Sequence, residues 1–178
     1  MQRFVVLCAL FISFFAASVL AQSNSLDQYR LGSGDVVKIT VYGQDDLSLE
    51  TRLSDVGIIN YPYLGEIKLV GLTLPELESY IYNGLKGDYL IEPSVSVSIT
   101  DYRPFFINGE VKKPGGYPYQ PGLTIDKAAA LAGGYTERAS KTKIFIVRDT
   151  DGSSTTISVD RSGTVLPGDI VTIEQSFF

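Results

Sequence analysis

The stretch 107–135, INGEVKKPGGYPYQPGLTIDKAAALAGGY, restricts the possible folds of this chain more than any other. It predicts a strand, a tight turn, a second strand and a short Ala-rich helix closed by two glycines. Phe105, Phe106 and Ile107 are apolar and β-favouring. Lys112-Lys113-Pro114-Gly115-Gly116 supplies the turn, because proline presets φ and glycine accepts the positive φ that follows it. Tyr117 and Tyr119 alternate with prolines, as on a short edge strand. Thr124 is placed to cap the next helix, and Asp126 in its first turn suits the dipole. Ile125, Ala128, Ala129 and Ala132 recur at helical spacing, so one face is apolar and small and can lie close on a sheet. Gly133 or Gly134 gives a left-handed stop.

The N-terminus reads differently. Arg3 precedes the apolar run 4–17, and Val19-Leu20-Ala21 is a small-residue cleavage pattern. Residues 1–21 are therefore expected to be a signal peptide, with the mature chain starting at Gln22. An uncleaved anchor is the alternative, but the run is shorter than the ~20 residues a spanning helix needs. The single cysteine, Cys8, would leave with the leader, taking disulfides, thiol nucleophiles and thiolate metal sites with it. It is misplaced for a lipid anchor, since Leu20-Ala21 is followed by Gln22. The chain has no histidine, which excludes imidazole bases, Ser-His-Asp triads and imidazole metal sites. Its net charge is −5; without Arg3, 14 basic side chains face 20 acidic ones, for −6. Such a chain is not expected to bind nucleic acid electrostatically.

After a polar lead-in at 22–28, expected to be flexible, the phrase Gly34-Asp35 precedes an alternating strand with Val37, Ile39 and Val41. The same phrase returns as Gly168-Asp169 before Ile170-Val171-Thr172-Ile173. Gly-Asp is a common turn before a strand. Its recurrence once per half favours two small β-rich units. Short strands are expected at 49–53, 58–59 and 66–70. Thr73-Leu74-Pro75-Glu76 is a capping box, Leu72 can staple onto Leu77, and Leu74, Leu77, Ile81 and Leu85 form a stripe. Gly87 ends that helix. Val95, Val97 and Ile99 alternate with Ser and Thr on a strand with one wet face. Later strands are expected at 143–148, 155–159 and 165–173, with a hairpin turn at 149–153.

Gly109-Glu110-Val111, Pro114-Gly115, Tyr117, Thr124, Ala128 and Ala132-Gly133-Gly134 resemble the SLBB module, a β-grasp fold. The block 29–100 resembles the N-terminal domain of bacterial polysaccharide export proteins, through Tyr29-Arg30-Leu31, Gly34-Asp35, Tyr42-Gly43, the segment 59–65, Gly71-Leu72-Thr73 and Pro93-x-Val95-x-Val97. The resemblance implies an α+β chain of two small β-rich domains, an export domain at 29–101 and an SLBB β-grasp domain at 102–178. It further implies a periplasmic component of a capsule or exopolysaccharide export machine, associated with the outer membrane. Such a component would form a homo-oligomeric ring between an inner-membrane copolymerase and an outer-membrane exit. Long members of the family carry further SLBB modules and a C-terminal helix, eight of which line a pore. This chain shows neither, so it is expected to need another outer-membrane protein, such as a β-barrel partner. The strands are too short for a membrane barrel of its own, and the two domain resemblances account for them, despite the terminal Phe178.

No cofactor, metal site or enzymatic activity is expected. Asp45-Asp46 fits a solvated loop, Asp149 and Asp151 fit a turn, and neither a calcium-binding loop nor a glycosidase carboxylate pair is evident. Tyrosine offers a sugar an apolar face and a hydroxyl, so Tyr61, Tyr63, Tyr117 and Tyr119, with Arg103, Lys112 and Lys113, are candidate glycan or subunit contacts. These aromatics could equally cover the small cores. Gly34, Asp35, Gly109, Glu110, Pro114, Gly115, Gly133, Gly134, Gly168 and Asp169 are expected to be structural. The alternative function is a monomeric periplasmic module that binds a glycan or other small ligand.

Overall fold

The structure is a computed structural model and describes residues 29–150 and 153–176. The expected leader with Cys8, the lead-in 22–28, the tip of the 149–153 turn and Phe178 lie outside the described residues. Two hydrophobic cores form, one from residues before Tyr102 and one from residues after it. Tyr102 packs against both.

The first unit holds β1 (Val36–Val41), β2 (Leu49–Arg52), β3 (Ile58–Tyr61), β4 (Gly65–Lys68), α1 (Leu74–Leu85) and β5 (Val95–Asp101). The strands form an antiparallel sheet in the order β2-β1-β5 and a separate β3-β4 hairpin. Alternation along β1 buries Val37, Ile39 and Val41, with Ile39 opposite Leu49 on one side and Val97 on the other. Leu77, Ile81 and Leu85 of α1 are fully buried, each removal from water contributing ~1.5–3 kcal/mol. Leu74, expected on the same stripe, is only partly buried, because the helix begins there at the rim of the core. The capping box forms: Thr73 N donates to Glu76 Oε2 at 2.8 Å, and Glu76 N to Thr73 Oγ1 at 3.4 Å. Asp45 and Asp46 start a short 3-10 turn and are exposed. The edge of β5 is partly covered, since Val97 N donates to Glu78 Oε1 of α1 at 2.8 Å.

The second unit holds β6 (Phe105–Gly109), β7 (Gly115–Tyr117), α2 (Ile125–Leu131), β8 (Ala139–Thr150), β9 (Ser153–Val159) and β10 (Ile170–Gln175). The sheet order is β7-β6-β10-β8-β9, with β6 and β10 parallel at its centre and every other pair antiparallel. This mixed sheet with one helix against it is a β-grasp arrangement. The small face of α2 is fully buried through Ile125, Ala128, Ala129 and Ala132. The helix closes as a Schellman motif, with Gly134 N donating to Ala129 O at 2.8 Å and Gly133 N to Ala130 O at 3.0 Å.

Strand bounds change in both units. In the first, β3 extends to Tyr61 and β4 spans Gly65–Lys68 rather than 66–70, because the two pair as a hairpin. β8 runs from Ala139 to Thr150, well beyond 143–148, because β9 and β10 flank it on both sides. β9 begins at Ser153, two residues before the expected start, carried by its ladder to β8. β10 begins only at Ile170, because residues 166–169 are spent on a turn.

Candidate functional site

The two Gly-Asp phrases fold into the same local object. In the first, Asp35 N donates to Gly32 O at 3.2 Å while the Asp35 carboxylate accepts from Gly32 N at 2.8 Å. In the second, Asp169 N donates to Leu166 O at 3.1 Å and its carboxylate accepts from Leu166 N at 2.7 Å. Gly34 and Gly168 sit at φ 93° and 84°, where a Cβ would be strained. Both aspartates are buried, and a buried carboxylate must be supplied with donors.

The donors to Asp35 bring the two units together. Asp35 also accepts from Tyr29 Oη at 2.7 Å and from the backbone N of Arg103 at 2.8 Å, and the Arg103 guanidinium lies 3.6 Å away. Arg103 Nε then donates to Pro167 O at 3.2 Å, in the second turn. The next residue is held as well: Gly168 N donates to Pro104 O at 3.2 Å. The connection between the units is thus bonded to both turns. Its fit depends on glycine. A Cβ on Gly32 would lie 1.3 Å from Arg103 Nη1, and one on Gly168 2.5 Å from Arg103 Nε.

Aromatic rings line the same junction. Tyr29 and Tyr102 meet edge to face at 5.6 Å between centroids, and Tyr102 and Tyr119 at 5.3 Å. The Arg103 guanidinium carbon is 5.4 Å from the Tyr29 ring centroid. Burial, with the charge of Asp35 next, pushes the Tyr29 hydroxyl well above the usual phenol range. Burial also raises Tyr102 and Tyr119. These hydroxyls stay protonated, so Tyr29 remains a donor to Asp35 at any physiological pH.

A second group of motif residues braces the far end of the β-grasp unit. Gly109 has φ 80°, and a Cβ there would lie 2.1 Å from Ile173 O of β10, so only glycine lets the chain pass. Lys112 N donates to Gly134 O at 3.0 Å and Lys113 N to Ala132 O at 2.8 Å, satisfying carbonyls at the end of α2. The Glu110 carboxylate accepts from the Thr136 hydroxyl, and Glu110 O from Thr136 N at 3.1 Å. Pro114 and Gly115 lead into β7, where Tyr117 Oη donates to Lys113 O at 2.6 Å.

The candidate contact residues do not form one site. Tyr61 is 1% exposed and donates through Oη to Leu47 O at 2.6 Å, so it belongs to the first core. Tyr119 is buried in the second core, and Arg103 is engaged at the junction. Burial removes Tyr61 and Tyr119 from the set that could face a ligand in this conformation. Tyr117 is half-buried, whereas Lys112 and Lys113 are exposed on the brace. Tyr63 is exposed, and it stacks on Tyr89, a residue not singled out from the sequence. Tyr89 sits in a loop after α1, and nothing in its spacing indicated a partner 26 residues away.

Among the described residues, no group of three or more carboxylates or other metal-ligating side chains comes together. No helix among the described residues is long and apolar enough to cross a membrane.

Comparison with known proteins gives both units a relationship. Residues 23–100 match the family model described as polysaccharide biosynthesis/export protein, and residues 104–158 match the SLBB domain. The exopolysaccharide production protein ExoF of Rhizobium meliloti is 33% identical over a region covering 66% of this chain and 32% of that protein. The EPS I polysaccharide export outer membrane protein EpsA of Ralstonia nicotianae is 28% identical, covering 83% of this chain and 47% of its own length. Its namesake from Ralstonia solanacearum is 26% identical, covering 76% and 39%. The chain thus spans about a third to a half of the length of these curated relatives. With an export domain and an SLBB domain in that order, joined through the paired Gly-Asp turns, the chain belongs to the bacterial polysaccharide export protein family.

Proposed function

We propose that this protein is a periplasmic component of a capsule or exopolysaccharide export machine. It acts by docking and passage, making and breaking no bond. The observation that carries the reading is the succession of the two family domains along one chain. The junction adds physical support: a conduit assembled from many copies needs each copy to hold its two domains at a fixed angle. Bonds from one connection to both turns supply that constraint.

In this reading residues 1–21 are a cleaved signal peptide, 22–28 a lead-in, 29–101 the export domain and 102–178 the SLBB domain. Copies assemble into a closed ring through heterologous contacts. The ring links an inner-membrane copolymerase to an outer-membrane exit, with a β-barrel partner supplying the exit. No cofactor takes part.

Deleting the gene and quantifying extracellular polysaccharide tests the function. Loss of surface polysaccharide, restored by the wild-type chain, is expected; export at the wild-type level in the deletion strain would refute it. Light scattering on residues 22–178, with and without the periplasmic domain of the copolymerase, tests the ring. A discrete large oligomer is expected in at least one condition, and a monomer in both would favour the ligand-binding module instead.

A further inference from the structure

Tyr63 is the single non-glycine residue with positive φ among the described residues, at 65°. It occupies the third position of the turn between β3 and β4, closed by Leu64 N donating to Tyr61 O at 3.2 Å. With Pro62 before it, this position ordinarily takes glycine. A bulky side chain there is strained, and such strain concentrates where a side chain is kept for use.

The strain does not serve the core. Tyr63 is 66% exposed, and its ring stacks on that of Tyr89, 47% exposed, at 4.7 Å between centroids and 28° between planes. Both supports are braced by packing or backbone bonds. Leu64 packs its side chain against Gly84 of α1, where even a methyl group would collide at 2.8 Å. The loop carrying Tyr89 is closed by Gly87 N donating to Leu90 O at 2.8 Å and Leu90 N to Leu85 O at 2.9 Å. The result is a preformed two-ring platform. The residues next to it along the chain are polar and acidic: Asn60 and Glu66 are paired on the hairpin that carries the turn, and Asp88 precedes Tyr89, all exposed.

We propose that the Tyr63–Tyr89 platform is a stacking site for an uncharged pyranose of the exported glycan. A pyranose presents an apolar face of C–H groups with hydroxyls around its rim. An aromatic ring matches the face, and the amide and carboxylates at the flank accept from the hydroxyls. The acidic flank disfavours a uronic acid at the same place. This assignment rests on the export reading for its source of glycan.

The test is saturation-transfer NMR on residues 22–178 with cellohexaose as a neutral probe and a hyaluronan hexamer as an acidic one. The wild type is expected to transfer saturation to ring protons of cellohexaose, and more weakly to hyaluronan. Tyr63→Gly relieves the strain while removing the ring. It is expected to lose the cellohexaose signal with Tm unchanged or raised by ~2 °C and the light-scattering mass unchanged. Tyr89→Leu, which leaves the turn intact, is expected to lose the signal as well. Absence of transfer in the wild type, or full transfer in both variants, overturns the proposal. A changed mass in Tyr63→Gly also overturns it, showing that the platform meets a second copy. Normal polysaccharide output in the deletion strain would refute the export reading while leaving the cellohexaose result standing, so the two failures are separable.

Discussion

The Asp35 turn and the Asp169 turn are the same structure used for different ends. Each carboxylate bonds the amide three residues back, and each is buried beside an arginine. Asp169 takes its arginine from within its own domain: Arg148 of β8 donates through Nε at 2.9 Å and through Nη2 at 2.7 Å. That two-point pair staples β8 to the start of β10. Asp35 takes its arginine from the connection that leaves its domain, and that arginine's Nε is bonded to the other turn. A repeated local motif thus yields an internal staple in one place and an inter-domain latch in the other. The partner decides which.

Removing either carboxylate should have the largest effect. Asp35→Ala leaves the Tyr29 hydroxyl and the Gly32 and Arg103 amides without their acceptor and the Arg103 guanidinium without its counter-charge, and should cost ~3–5 kcal/mol of unfolding free energy in urea titrations. Asp169→Ala should cost a comparable ~3–5 kcal/mol, but its signature is local. Hydrogen exchange should rise in β8 and β10 and stay unchanged in β1 and β5. For Asp35→Ala the loss of protection should reach both sides of Tyr102. Equal exchange patterns for the two variants would erase the distinction.

Gly32→Ala sharpens the comparison at intermediate size. The new methyl group must evict the Arg103 guanidinium, for ~1–3 kcal/mol. In an Arg103→Ala background the same change should cost under ~0.5 kcal/mol, because the obstacle is gone. A double-mutant cycle in chemical denaturation reads the difference. Additive costs would mean that Gly32 and Arg103 are not packed as described.

The smallest effect depends on pH. Tyr29→Phe removes one hydrogen bond to Asp35, for ~1–2 kcal/mol at pH 7. The folded state raises the Tyr29 pKa, so its contribution is fully present below the unfolded value of ~10 and is lost as pH rises beyond it. The stability gap between wild type and Tyr29→Phe should therefore narrow above about pH 10. A gap that widens there would have the wrong sign.

Much of this fold was legible in the sequence. The Thr73–Glu76 capping box, the α1 stripe from Leu77 to Leu85 and the small face of α2 follow from periodicity and local bonds, and they fold as read. The recurrence of Gly-Asp was also visible. The identity of each aspartate's arginine was not, because Arg103 and Arg148 lie 68 and 21 residues away from their partners, with no period linking them. Tyrosines posed a related problem. Tyr61 and Tyr119 share the Pro-flanked context of Tyr63, yet the first two are core residues and the third is exposed. Their hydroxyls make burial tolerable once a carbonyl such as Leu47 O is found, and that partner is set by tertiary structure.

The most direct test of the latch is a distance between the two domains. Residues 22–178 contain no cysteine, so spin labels can be placed at Glu66→Cys in β4 and Thr155→Cys in β9 and measured by pulsed EPR. Labelled protein is diluted with unlabelled protein to remove distances between copies. A single narrow distance distribution in the wild-type background, broadened by Arg103→Ala but not by Arg148→Ala, is the predicted result. A broad distribution before any change at Arg103, or a narrow one that survives Arg103→Ala, would contradict the latch.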